Sequence, residues 1–355
     1  MTVGDVRASI SVCGMSAVWR PRPLLATLSL ALVVLCLFAA ALAAGDYTLP
    51  LPTIGQVLLG GGDETDRLVV LEWRMPRAAT AVGVGAALGL SGALLQSVTR
   101  NPLASPDILG ITMGASAAAV TVIAVGTGGA SVVTSWLGGL GVSAAAGVGA
   151  LASALVIWLL ALRRKADSFR LVLFGVIINA LLQSYVNYLL IRADLRDAQT
   201  ASYWLTGSLN AANWQTAVPV FVLLAVFAPL LAWISFQFKA TELGPDVAAS
   251  LGQNPRSIQF VFVAASALLA AMAVAAAGPI GFVAFVAPQV ALRLCGVSAP
   301  PLAASALSGA SLVVASDLVT THALPVALPV GLLTSVLGGS FLVYLLIQTN
   351  RRNSI

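Results

Sequence analysis

The stretch "EWRMPRAATAVGVGAALGLSGALLQ", residues 72–96, decides how this chain is read. Beyond Arg77 it carries no charge as far as Gln96, and alanine, glycine and leucine dominate it. A bilayer core of about 30 Å calls for roughly 20 apolar residues in a helix, and 76–96 supplies them. Arg74 and Arg77 stand at the mouth of that helix. Residues three apart share a helix face, and charge beside hydrocarbon is costly, so the pair needs a counterpart.

Stretches of the same kind lie on both sides. They cover 24–44, 76–96, 108–126, 137–162, 171–191, 214–238, 258–277, 280–292, 302–319 and 326–347. The chain of 355 residues is 59% hydrophobic and 9% charged, against roughly 25% charged in soluble domains. These numbers exclude a soluble globule and predict an all-α, polytopic transmembrane bundle of about ten helices. The two weakest stretches are 280–292, which is short and holds Pro288, and 302–319, whose C-terminal end carries Asp317. The first run, 24–44, has 21 residues. A signal-peptide core has about 7–15, so it reads as a retained span behind a tail of residues 1–22. Residues 23–348 then form the permeation domain, and 349–355 a second tail.

Basic residues set the orientation. With the N-terminus in the cytoplasm and ten spans, the inner segments hold Arg7, Arg20, Arg22, Arg100, Arg163, Arg164, Lys165, Arg170, Lys239, Arg256, Arg293, Arg351 and Arg352. The outer segments hold Arg67, Arg74, Arg77, Arg192 and Arg196. This is the positive-inside bias, with both termini cytoplasmic. It puts Arg74 and Arg77 on the outer side, against the rule. A lipid phosphate, an anionic substrate and an acidic partner protein are the candidate counterparts, beside simple snorkelling onto head groups.

Several chemistries are absent from the sequence. There is no GxxxxGK[ST] loop, so the chain has no Walker-type nucleotide site of its own. Cys13, Cys36 and Cys295 form no CxxC or Cys/His group, and His322 is the single histidine, so neither metal nor cofactor is expected. Asp317 is the one acidic residue read inside a span, and ion-coupled transporters usually carry several. The energy for transport is therefore expected from another subunit. The inner segment "KATELGPDVAASLGQNPRSIQ" (239–259) reads as a turn at Gly244-Pro245 and a short helix closed by Gly252. Such a segment suits docking to a soluble motor.

The stretch "RMPRAATAVGVGAALGLSGALLQSVTRNPLASPDILGITMGASA" (74–117) resembles the signature of FecCD-type permeases, the membrane subunits of ABC importers for ferric siderophores, haem and vitamin B12. The resemblance continues in order through "YWLTGSLNAANW" (203–214), "ELGPDVAASLGQN" (242–254), "AGPIGFVAFVAPQ" (277–289) and "LPVGLLTSVLGGSFLVYLL" (328–346). It implies ten helices, a second FecCD-type permease subunit, cytoplasmic ATP-binding subunits and an extracytoplasmic siderophore-binding protein. It assigns Arg74 and Arg77 to docking of that binding protein. Glu242, Leu243, Gly244, Ala248, Ser250, Leu251 and Gly252 become the ATPase-coupling segment. Tyr203, Trp204, Thr206, Gly207 and Ser208 line or gate the outer vestibule, although Tyr203 and Trp204 equally suit an interfacial aromatic belt. Where relatives have a further basic docking residue, this chain has Thr321 followed by His322, and the family's common "PH" is Pro288-Gln289. "APQ" and "HALPVALPVG" (322–331) most resemble the ferric-enterobactin type, which implies a heterodimer and a ferric siderophore as cargo. Haem or cobalamin cargo, and an ion-gradient-driven secondary transporter, are the alternatives.

Overall fold

The computed structural model describes residues 9–12, 15–18, 21–125, 141–162, 168–242, 247, 250 and 255–353. Ten helices occupy the ten apolar stretches. They are α1 (Pro21–Ala43), α4 (Met75–Thr99), α5 (Ile111–Val125), α6 (Gly141–Leu162), α7 (Ser168–Arg192), α9 (Trp214–Glu242), α10 (Pro255–Ala277), α11 (Val283–Cys295), α12 (Leu302–Leu318) and α13 (Val330–Asn353). Between them lie α2 (Leu51–Leu58), α3 (Glu64–Arg67) and α8 (Leu195–Leu205), with π-helical segments at Leu68–Arg74 and Val319–Ala323. The N-terminal tail adds a small antiparallel ribbon, β1 (Ser9–Val12) with β2 (Met15–Val18). The basic cluster 163–165 and residues 126 and 137–140 lie outside the described residues.

α4 is the hub. Within its apolar window 89% of residues are buried, against 11% in both α1 and α7, which present leucines outward. Lipid offers helices no hydrophobic drive to associate, so close packing must come from small residues. α4 meets α12 antiparallel at two such points. A Cβ on Gly85 would lie 2.4 Å from the Gly309 carbonyl oxygen, and one on Gly309 would lie 2.1 Å from that of Gly85. One turn on, a Cβ on Gly89 would lie 2.2 Å from the Ser305 oxygen. On either side of this contact Leu88, Val313 and Val314 join Phe262, Leu269 and Ile280 in the main core.

Two features differ from the sequence reading. The helix carrying the arginines does not begin at them: it runs unbroken from Glu64 to Thr99, and its part Leu68–Arg74 is wound as a π-helix. Pro76 explains this. It lacks an N–H and its ring crowds the carbonyl four residues back, and the wider π turn accommodates both. The second feature is α11. At 13 residues it rises about 20 Å, short of a bilayer core of about 30 Å. The non-helical turn Gly278–Phe282 leads into it. Irregular backbone is tolerated there only when enclosed by protein or lining a cavity, and these residues are buried or half-buried.

Gly85→Ala should abolish monodisperse protein in detergent, because the clash is with backbone that cannot yield. Gly55→Ala on α2, where the added methyl meets nothing within 4 Å, should instead stabilise by about 0.5–1 kcal/mol. Equal yields of folded protein from the two variants would refute the register.

Candidate functional site

The α4–α12 register that brings Gly85 to Gly309 also brings Arg77 to Asp317, two turns farther along both helices. In all of these pairs, Gly89 and Ser305 included, the residue numbers add to the same total, as antiparallel packing requires. Arg77 Nε donates to Asp317 Oδ2 at 2.9 Å and Nη2 to Oδ1 at 2.8 Å, a bidentate ion pair. Nη2 also donates to Thr321 Oγ1 at 3.2 Å, and that hydroxyl donates to the Asp317 main-chain oxygen at 2.5 Å. The Arg77 side chain keeps 28% exposure and Asp317 11%, so the pair sits at an edge. Each π segment abuts it, one ending three residues before Arg77 and the other starting two after Asp317.

Arg74 does something else. Its Nη1 donates to the carbonyls of Leu42 (2.8 Å) and Ala43 (3.2 Å), and its Nη2 to that of Tyr47. The last carbonyls of a helix lack intrahelical partners, and α1 has no basic residue in its own last turn. Arg74 closes α1 from a distant element. Nearby, the Tyr47 hydroxyl donates to Asp66 Oδ1 at 3.0 Å, and that bond, with the charge of Asp66, holds the phenol above its usual pKa. Trp214 Nε1 donates to the Leu71 carbonyl of the π segment at 3.0 Å, tying α9 to the same rim.

A cavity of about 500 Å³ lies among α5, α7, α11 and α13, walled mainly by apolar groups such as Leu205, Phe282, Phe285 and Leu332. Of the five vestibule residues read from the sequence, only Thr206 lines it. Gly207 follows with φ +70, where a Cβ would lie 2.4 Å from the Pro279 oxygen, and its carbonyl accepts from the Gly331 amide at 3.2 Å. The Ser208 amide donates to the Ala277 carbonyl at 2.8 Å. Tyr203 is exposed, its hydroxyl accepting from Asn210 Nδ2 at 2.6 Å, and Trp204 is half-buried against the α5–α6–α10 core. The segment is thus a backbone-locked junction joining α8 to the α10–α11 turn and to α13.

Of the coupling segment, Glu242 ends α9 and the Ser250 hydroxyl donates to the Val247 carbonyl at 2.8 Å. Leu243, Gly244, Ala248, Leu251 and Gly252 lie outside the described residues. Sequence reading paired Arg77 with nothing inside the chain and passed over Asp107, which stands in the cavity wall. It noted Gln289 only as a departure. That side chain is buried and donates to Gln96 Oε1 at 2.7 Å, while Gln96 Nε2 donates to the Phe285 carbonyl at 3.1 Å. His322 is exposed and stands next to Thr321, which the Arg77 socket uses.

A profile described as the FecCD transport family matches residues 31–348. This chain is a FecCD-family permease. It is 37% identical over 330 residues to "Ferric enterobactin transport system permease protein FepG" of Escherichia coli (strain K12), covering 91% of this chain and 96% of the relative. It is 38% identical over 333 residues to "Probable siderophore transport system permease protein YfhA" of Bacillus subtilis (strain 168), covering 91% and 95%. Among solved structures, an inward-facing conformation of a metal-chelate type ABC transporter superposes with a TM-score of 0.79 at 26% identity, covering 91% of this chain and 98% of that one. The chain is therefore a multi-pass permease subunit of an ABC importer in the cytoplasmic membrane. FecCD permeases work with separate ATPases and binding proteins. Asp317, the acidic residue on which the ion-coupled alternative rested, is held by Arg77.

Asp317→Ala leaves Arg77 without its carboxylate and should cost about 3 kcal/mol, the lower end for a stranded charge, because Arg77 remains partly exposed. Arg77→Met/Asp317→Leu should regain most of the loss in thermal unfolding midpoint. A double variant no more stable than the single one would show that the pair's environment, rather than its charge balance, holds the rim together.

Proposed function

We propose that this permease carries a ferric siderophore inward, using ATP hydrolysed by cytoplasmic ATP-binding subunits. Its termini face the cytoplasm, with tails at 1–22 and 349–355 around the domain of residues 23–348. The reading of the cargo is supported by two relatives named for ferric enterobactin and siderophore transport across nine-tenths of the chain. A second FecCD-type permease, different in sequence, completes the pathway as a heterodimer.

The observation that carries the docking role is the Arg77 socket. Asp317 and Thr321 fix the guanidinium through Nε and Nη2 while the side chain stays partly exposed, leaving Nη1 for a further acceptor. A carboxylate on the siderophore-binding protein fits that acceptor, and a charge-assisted contact of this kind steers docking more than it adds affinity. Arg74 serves the same surface from beside it, with its carbonyl contacts setting the height of the α1 end. Segment 242–252 meets the ATPase, and ATP-driven closure there rocks the helices about the pathway. Tyr203, Trp204, Thr206, Gly207 and Ser208 frame its outer end.

Two experiments test this reading. Cells lacking the chain should lose uptake of iron presented as siderophore complexes while keeping haem and cobalamin uptake; the reverse pattern would keep the family and overturn the cargo. The exchange Arg77→Glu/Asp317→Arg keeps an ion pair within the chain but moves its positive end. Folded, correctly inserted exchange protein should bind the siderophore-binding protein at least tenfold more weakly, a loss of about 1.4 kcal/mol. Undiminished binding would reduce Arg77 to a structural role.

A further inference from the structure

Asp107 is the second carboxylate set within the bundle, and the transport reading so far gives it no part. It stands in the cavity wall with no ion-pair partner among the described residues. An ionisable side chain at such a place is expensive unless it has work to do. Its backbone is firmly held. The Asp107 carbonyl accepts from Asn179 Nδ2 of α7 at 2.9 Å, and the Gly110 carbonyl accepts from Ser153 Oγ of α6 at 2.8 Å. Leu109 lies so close to α7 that a Cβ on Gly175 would come within 2.8 Å of its Cα.

The carboxylate reaches across from this anchored loop. Oδ1 accepts from Thr112 Oγ1 at 2.6 Å, and Oδ2 accepts from the backbone N–H of Phe282 at 3.3 Å. Phe282 precedes α11 in the left-handed region, φ 65 and ψ −19, with no side-chain cap of its own. That conformation is disfavoured for a residue bearing a Cβ. A carboxyl oxygen accepting at the start of α11 offsets this, because the first N–H groups of a helix have no intrahelical partner. Held this way, the Phe282 ring lines the cavity and packs on α13 where Gly338 leaves room: a Cβ there would lie 2.1 Å from that of Phe282. Phe285 meets the ring edge-on, with centroids 6.5 Å apart.

We propose that Asp107 is a positioning residue of the transport pathway: its carboxylate, fixed on the α5–α6–α7 side, latches the Phe282 amide and keeps the phenyl ring as a constriction in the cavity. When α11 and α13 move away from α5 during the cycle the latch opens. Phe282 then returns to the right-handed region and its ring leaves the passage. This rests on the reading that the cavity lies on the cargo's path.

The test is the labelling rate of Ser335→Cys, a position that lines the same cavity, by a charged methanethiosulfonate reagent. It uses the assembled transporter in proteoliposomes, with the native cysteines replaced. Asp107→Ala removes the acceptor of the Phe282 N–H and should raise the rate about tenfold, the effect of leaving one buried N–H without its partner. Phe282→Gly, which removes the ring and suits the left-handed turn, should raise it as much. The two together should add nothing further, as for residues acting through one element. Thr112→Val, which removes the hydroxyl that orients the carboxylate, should raise the rate as well and serves if Asp107→Ala does not fold. An unchanged rate in folded Asp107→Ala, or additive effects in the double variant, would overturn the latch. The labelling rate does not depend on which cargo is carried, so failure here leaves the siderophore assignment standing, and a failed siderophore assay leaves the latch standing.

Discussion

The contact on which this bundle depends is backbone against backbone, where α4 crosses α12. In water two helices would be pressed together by their apolar faces; in lipid that drive is missing, and separation is set by how closely main chains can approach. Gly85, Gly309 and Gly89 allow carbonyl oxygens to occupy the space that side chains would take. The consequences run along the whole register. Because both helices are stiff, fixing Gly85 on Gly309 fixes Arg77 on Asp317 two turns away, and with it the edge that a partner would meet. Pro76 and the π turns beside the ion pair then adjust the phase of each helix end, so that the guanidinium and carboxylate arrive in bidentate geometry.

Polar groups are arranged differently at the rim and in the interior. At the rim each contact includes a charged group: Arg77 with Asp317, Tyr47 with Asp66, Arg74 with three carbonyls. In the interior the bonds are mostly between uncharged groups, such as Gln96 with Gln289 and Ser91 with Ser266. A permease that uses a motor elsewhere has no need of a chain of titrating groups to carry protons along its path. What it needs are walls that hold their shape and can change it as units. The junction of Gly207, Gly278 and Gly331 is such a wall: three glycines let α8, the α10–α11 turn and the start of α13 touch through main chain.

The ten helices were legible because each needs only a local run of apolar residues, and even the two weakest, 280–292 and 302–319, proved helical. What was not legible is what depends on distant parts of the chain. Arg77 and Asp317 are 240 residues apart, and no local pattern links them; the signal existed only as small residues spaced alike on both helices. The helix start was misplaced for a related reason. The apolar run begins only at residue 76, and only the packed rim shows the helix continuing before it. Asp107 was overlooked because it lies at the edge of a span, in a loop whose path to Phe282 is set by the fold. The coupling segment, the most clearly soluble-looking stretch, falls largely outside the described residues.

The arginine pair finally shows why one motif can carry two kinds of work. Arg74 and Arg77 share a helix face and a motif, yet one binds carbonyls and the other a carboxylate. Carbonyl contacts leave the guanidinium's charge in place, so Arg74 stays a local positive centre while it seals α1. The carboxylate of Asp317 cancels the charge of Arg77 at long range but fixes its direction. A free arginine on a surface carries about 2 kcal/mol of rotamer entropy that a partner must overcome, and an arginine already clamped has lost most of it. In the proposed docking role Arg74 would contribute attraction and Arg77 geometry, and pre-organisation of the second kind lowers the entropic cost of association. An intramolecular ion pair at a docking rim is therefore compatible with a role in docking, because it presents its arginine already ordered.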